Sequence, residues 1–121
     1  MAKSILIVDD SAAIRQSVTY VLEQEGYAVT QAEDGVDALS KMEDAEFSMI
    51  ITDVNMPNMD GIELVRKARE QGKFKFTPIV VLTTESQGTK MDEGKQAGAT
   101  GWIVKPFDAD KLLQVVKKLA G

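Results

Sequence analysis

Ile5-Leu6-Ile7-Val8 is followed directly by Asp9-Asp10-Ser11. The apolar run is rich in β-branched residues and too short for a helix, so it suits a strand buried on both faces. Similar runs recur at Met49-Ile50-Ile51, Ile79-Val80-Val81-Leu82 and Trp102-Ile103-Val104. The segment from Ala28 to Ala32 alternates and is more polar, which places it at a sheet edge.

Helical spacing fills the intervals. Ile14, Val18, Val21 and Leu22 share one face, with Ser11 as N-cap and Gly26 as stop. Val36, Leu39 and Met42 mark a second helix, and Ile62, Val65 and Ala68 a third. Asp60 opens the third with Glu63 three residues on, a carboxylate version of the capping box, and Gly72 is expected to stop it. Leu112, Val115, Val116 and Leu119 mark the last helix, capped by Asp108. Between Ser86 and Gln96 the only strongly apolar residue is Met91, and Gly88 and Gly94 interrupt the segment. A fourth helix there has little to bury and is expected to be marginally stable and mobile. Strand then helix, five times over, predicts an α/β fold: a doubly wound parallel sheet with helices on both faces and right-handed crossovers. Ligands of such sheets sit beyond the carboxyl ends of the strands.

A length of 121 residues suits one domain, taken here as residues 1–121 with no output domain, and 44% apolar content can supply its core. With 14 basic and 19 acidic residues, the net charge of −5 argues against non-specific nucleic-acid binding. The absence of cysteine excludes disulfides and thiolate ligands. No apolar run approaches the ~20 residues of a membrane span, and Met1-Ala2-Lys3-Ser4 leads straight into a strand without a signal peptide. A cytoplasmic monomer is the expectation. There is no histidine, so the chain cannot be a phosphohistidine donor or use an imidazole. Its chemistry must come from carboxylates, hydroxyls and lysines.

Those groups follow the strands. Asp9 and Asp10 come after the first, Asp53 after the third, Thr83 after the fourth, and Lys105 with Pro106 after the fifth. Each has a bland explanation alone: Asp9-Asp10-Ser11 as a helix start, Thr83 as a turn residue, Lys105 as a solvated cation, Trp102 as core. Together they converge on one edge of the sheet. Clustered carboxylates repel and call for a cation. Oxygen ligands without His or Cys favour Mg²⁺ or Mn²⁺. An aspartate beside such an ion can act as nucleophile toward a phosphoryl group. Lys105 and the Thr83 hydroxyl would then meet the transferring oxygens.

Four stretches carry a family resemblance: Leu6-Ile7-Val8-Asp9-Asp10-Ser11; Thr52-Asp53-Val54-Asn55-Met56-Pro57 with Met59-Asp60-Gly61; Val81-Leu82-Thr83-Thr84-Glu85; and Gly98-Ala99-Thr100-Gly101-Trp102-Ile103-Val104-Lys105-Pro106-Phe107. In order and spacing the chain resembles the receiver domains of bacterial two-component response regulators, particularly the single-domain chemotaxis regulators. The resemblance implies a flavodoxin-like strand order 2-1-3-4-5. It implies Asp53 as acceptor of a phosphoryl group from a sensor histidine kinase of the chemotaxis type. It further implies Mg²⁺ held by Asp10, Asp53 and the backbone carbonyl of Asn55, with Asp9 assisting directly or through water. Thr83 and Lys105 would contact the phosphoryl oxygens, and the Lys105–Pro106 bond would be cis. Phosphorylation would draw Thr83 inward and turn Trp102 inward, altering the face formed by helix 4, strand 5 and helix 5. That face would bind a flagellar motor switch or another protein target, with a phosphatase as a further partner.

Two positions depart from the family's usual pattern: Trp102 stands where Tyr or Phe is usual, and Thr84 where a small residue is frequent. Asn55 and Glu85 flank the site and are candidates for positioning or excluding the hydrolytic water. Other functions fit less well. A phosphorelay intermediate passing phosphate to a histidine phosphotransfer protein shares the same site. An aspartate-nucleophile phosphohydrolase usually has a second Asp two residues after the nucleophile, where this chain has Asn55, and needs a cap for which no insertion is long enough. A flavodoxin-like cofactor binder needs a glycine-rich cradle, and Asp9-Asp10-Ser11 would repel an anion.

Overall fold

The computed structural model describes residues 3–56, 58–83 and 89–120. Strand and helix alternate throughout: β1 (Ser4–Val8), α1 (Ala12–Gln24), β2 (Ala28–Ala32), α2 (Gly35–Asp44), β3 (Met49–Asp53), α3 (Gly61–Glu70), a 3₁₀ turn (Gly72–Phe74), β4 (Ile79–Thr83), α4 (Thr89–Ala97), β5 (Gly101–Val104) and α5 (Ala109–Leu119). The strands form one parallel sheet in the order β2-β1-β3-β4-β5. The segment from Ala28 to Ala32 is indeed an edge strand, and all but its last residue is at least partly exposed.

Side chains alternate across a strand, so one sheet feeds two cores. Leu6, Val8, Ile50 and Val81 point to the face covered by α2, α3 and α4, where they meet Met42, Leu64, Val65 and Ala97. Ile5, Ile7, Ile51, Val80, Leu82 and Ile103 point to the other face, against Val18 and Leu22 of α1 and Leu112 and Val116 of α5. Each fully buried aliphatic side chain contributes about 1.5–3 kcal/mol relative to exposure. Continuous apolar runs in the central strands follow from this two-sided burial.

The helix starts follow the chemistry of their caps. Ser11 Oγ accepts from the Ile14 N–H at 3.3 Å, Asp60 Oδ1 from that of Glu63 at 2.8 Å, and Asp108 Oδ1 from that of Lys111 at 2.8 Å. Asp34 caps α2 in the same way, accepting from the Asp37 N–H at 2.8 Å. α3 ends at Glu70 with Gln71 as its C-cap, so Gly72 stands at the first position beyond the helix, as expected of its stop, and there opens the 3₁₀ turn. The turn carries Phe74 into the core, 1% exposed. The expected beginning of the fourth helix at Ser86 lies outside the described residues, as do Thr84, Glu85 and Gly88.

Candidate functional site

The parallel register brings the strand ends together. Val8 pairs with Thr52, Asp53 with Leu82, and Thr83 with Val104, so the next residues of β1 and β5 emerge beside the ends of β3 and β4. Asp9 is 1% exposed, Asp53 6% and Thr83 3%, whereas Asp10 is exposed.

Local hydrogen bonds fix Asp9. Its N–H donates to Ala32 O at 3.2 Å, and its Oδ1 accepts from the Ser11 N–H at 2.9 Å. Its carbonyl accepts from Arg15 Nη1 at 2.6 Å, and Arg15 Nε donates to Gln31 Oε1 at 3.3 Å. The remaining oxygen, Oδ2, faces Lys105 Nζ at 3.4 Å. The same ammonium lies 3.0 Å from Asp53 Oδ1. Lys105 leaves β5 with its N–H bonded to Thr83 O at 2.7 Å, and its peptide bond to Pro106 is cis.

The electrostatics are unbalanced. Burial pushes the Asp53 carboxyl above its ordinary range and the charge of Asp9 adds to this, while Lys105 opposes both. Burial alone would lower Lys105, but its hydrogen bond to Asp53 and the charges of Asp53 and Asp9 reverse the direction and raise it. One oxygen each from Asp9, Asp10 and Asp53 lie within 4.8 Å of one another. A single ammonium cannot neutralise three carboxylates. The excess of negative charge, carried entirely by hard oxygen donors, fits a divalent cation of the Mg²⁺ or Mn²⁺ type.

The other residues singled out in the sequence sit around this centre. Thr83 ends β4, next to Asp53 at the end of β3. Trp102 lies on β5 opposite Val81 and is 40% exposed. Partners in a parallel ladder share a face, as do residues two apart on one strand. Trp102, Val81 and Thr83 therefore share the face that α4 covers. Asn55 follows β3 in an exposed loop.

That loop is closed by a feature invisible to spacing. The Gly61 N–H donates to Val54 O at 2.9 Å, and a Cβ on residue 61 would stand 2.1 Å from Asp53 O. Only glycine allows α3 to start there. Residue Asn58 has φ +68°, a left-handed conformation that asparagine tolerates better than most residues, and its Nδ2 donates to Asp34 Oδ2 at 2.9 Å. Neither Asn58, Asp34 nor Arg15 stood out in the sequence. The nearest signal was Asn58-Met59-Asp60-Gly61 itself, a turn-forming composition ahead of a helix cap.

Comparison with known proteins places this geometry. The family model described as the response regulator receiver domain matches residues 5–117. The chain is 41% identical over 95% of its length to the transcriptional regulatory protein ResD of Bacillus subtilis, spanning only 47% of that protein. It is 37% identical to the chemotaxis protein CheY of Pseudomonas aeruginosa, covering 95% of this chain and 94% of that one. Among solved structures, Vibrio cholerae chemotaxis protein CheY4 superposes with a TM-score of 0.95 at 49% identity, over 98% of this chain and 99% of that one. The receiver domain of the Pseudomonas aeruginosa sensor histidine kinase PA1611, with a magnesium ion coordinated in its active site cleft, superposes with a TM-score of 0.92 at 27% identity, over 100% and 99% of the two chains. Sheet order, strand-end carboxylates and the matched span agree, and the chain belongs to the response regulator receiver domains of two-component signalling.

Proposed function

We propose that the protein is a phosphorylation-driven switch in which Asp53 accepts a phosphoryl group from a histidine kinase. The observation that carries this reading is the placement of a buried carboxylate, raised in pKa, 3.0 Å from an ammonium and inside a cluster of three carboxylates. Asp10, Asp53 and the Asn55 carbonyl would hold Mg²⁺, with Asp9 beside them. The ion, when bound, supplies positive charge to the phosphoryl oxygens.

The chain's own residues do the rest. An Asp53 oxygen attacks phosphorus as the bond to the donor's imidazole nitrogen breaks, and the donor leaves as free histidine. Lys105 exchanges an Asp53 oxygen for a phosphoryl oxygen, which its single flexible ammonium can do without leaving Asp9. The Thr83 hydroxyl donates to a second phosphoryl oxygen. Its movement toward the site opens space on the face it shares with Trp102, and the ring turns inward. The surface of α4, β5 and α5 then changes shape, and a protein target reads it. The likeness to chemotaxis proteins favours a flagellar motor switch as that target. A phosphorelay role is the second reading, favoured by the likeness to a receiver domain that belongs to a sensor histidine kinase.

The test uses acetyl phosphate and Mg²⁺ with the purified chain. An acyl phosphate on Asp53 and a change in the fluorescence of Trp102, the only tryptophan, are expected, and both vanish in Asp53→Asn. Wild-type protein that never acquires phosphate in the presence of Mg²⁺ would refute the reading.

A further inference from the structure

The loop that carries Asn55 is held from outside the site. Its neck is closed by the Gly61–Val54 hydrogen bond. Its far side is tied to the start of α2 by Asn58 Nδ2, which donates to Asp34 Oδ2 at 2.9 Å. Met59 adds a packing contact: a Cβ on Gly35 would come within 2.9 Å of it, so the loop rests directly on the helix backbone. Asp34 is a buried carboxylate whose two oxygens are divided between two tasks, Oδ1 capping α2 and Oδ2 receiving Asn58. The hydrogen bond from the Asp37 N–H, then that from Asn58, hold its carboxyl below the ordinary range, which keeps it a charged acceptor. Neither Asp34 nor Asn58 is among the groups that converge on Lys105.

We infer that the Asp34–Asn58 hydrogen bond is a positioning brace that sets the affinity of the site for Mg²⁺ by fixing the loop that presents the Asn55 carbonyl. The inference rests on the metal reading above. A backbone carbonyl on a loose loop must be ordered at the moment of binding, and that ordering entropy is subtracted from metal affinity. A loop already pinned on both sides has little left to lose. The β2–α2 edge, which supplies no ligand, thereby takes part in metal binding.

Two variants isolate the brace. Asn58→Gly keeps the left-handed backbone, which glycine adopts without strain, and removes the side chain that reaches Asp34. Asp34→Ser keeps an N-cap oxygen for α2 but is too short to receive Asn58. Calorimetric titration of the full chain with Mg²⁺ alone is expected to show affinity weakened about 5- to 10-fold in each variant, somewhat less than for partners that touch a ligand directly. The double variant should be no weaker than the worse single one, since both remove one interaction. Phosphorylation by acetyl phosphate at saturating Mg²⁺ should return to within about twofold of wild type, because the brace acts on metal binding and not on the transfer step.

Unchanged Mg²⁺ affinity in a folded Asn58→Gly protein overturns the inference, as do losses that add in the double variant or a transfer rate that stays low at saturating Mg²⁺. Wild-type protein that binds no Mg²⁺ overturns the metal reading, and this inference with it.

Discussion

Two partly buried cations sit at opposite ends of the sheet, and their surroundings differ in kind. Lys105, beyond the carboxyl end of β5, faces the carboxylates of Asp9 and Asp53. Arg69, at the end of α3, lies by the amino ends of β4 and β5. Its guanidinium donates to the carbonyls of Phe74 at 2.8 Å, Thr77 at 2.6 Å and Gly98 at 2.8 Å, and its Nη2 reaches Thr100 Oγ1 at 3.4 Å. Burial lowers the Arg69 pKa, while anionic neighbours raise that of Lys105. Neutral carbonyls have no alternative state, so the Arg69 fork is a permanent fastening between α3, the turn after it and the approach to β5. Carboxylates can take a cation or, on the function proposed above, a phosphoryl group at Asp53, so the Lys105 end can be rearranged where the Arg69 end cannot. A rigid end lets a change at the other be passed on as movement instead of being absorbed.

The strongest way to break this contrast is at Arg69. Arg69→Met strands several carbonyls and should cost about 3 kcal/mol of stability in a denaturant titration. Mg²⁺ should restore none of it, and Arg69→Lys should recover less than half, since an ammonium cannot fork. A loss repaired by Mg²⁺ would show that the two ends are not independent.

Lys105→Met should behave oppositely. Without metal the two facing carboxylates lose their shared cation, and stability should fall by about 1–2 kcal/mol. Saturating Mg²⁺ should return most of that. Acceptance of a phosphoryl group should still drop about 100-fold, the usual consequence of removing one positioned donor. Asp53→Asn should reverse the sign, because it deletes a carboxylate whose charge burial disfavours. A gain of about 1 kcal/mol in metal-free thermal unfolding at neutral pH is expected, and a loss would mean that the pair with Lys105 outweighs burial.

The smallest effect concerns Asp34. Its folded pKa is depressed, so its contribution is present above the unfolded carboxylate value of about 3.9 and is lost as pH falls through the folded value. Wild type should exceed Asp34→Ser by about 1 kcal/mol or less at neutral pH, and the two stability curves should converge on acidification below pH ~4. Parallel curves would mean that the carboxylate's charge is irrelevant there.

The fold was legible wherever a residue's neighbours in sequence decide its environment. Apolar runs end abruptly at Asp9 and Lys105, and the alternation in Ala28–Ala32 marks an edge strand. Caps at Ser11, Asp60 and Asp108 lie within three residues of the N–H they serve. The proximity of Asp9, Asp10, Asp53 and Lys105 was legible because strand ends of a parallel sheet share one edge. What stayed hidden depends on partners far along the chain. Asn58 finds Asp34 at a separation of 24 residues, and Arg69 finds Gly98 at 29. Nothing local distinguishes Arg69 from the exposed Arg66 one turn earlier. Gly72 marked the end of α3 as a glycine after a helix does, but the 3₁₀ turn beyond it stayed hidden, because it goes with the burial of Phe74.

The closed neck between Val54 and Gly61 has one more consequence. A loop whose two ends touch meets its boundary condition toward β3 at the neck, while α3 still takes its cap from Asp60 and α2 its tie from Asn58. Exchange of residues 55–60 for the corresponding loop of another receiver should therefore leave the sheet undisturbed, provided the donor loop ends in a capping residue at position 60 and is followed by glycine. The segment that follows Asp53 is in this sense open to redesign, framed by a residue that admits no substitute.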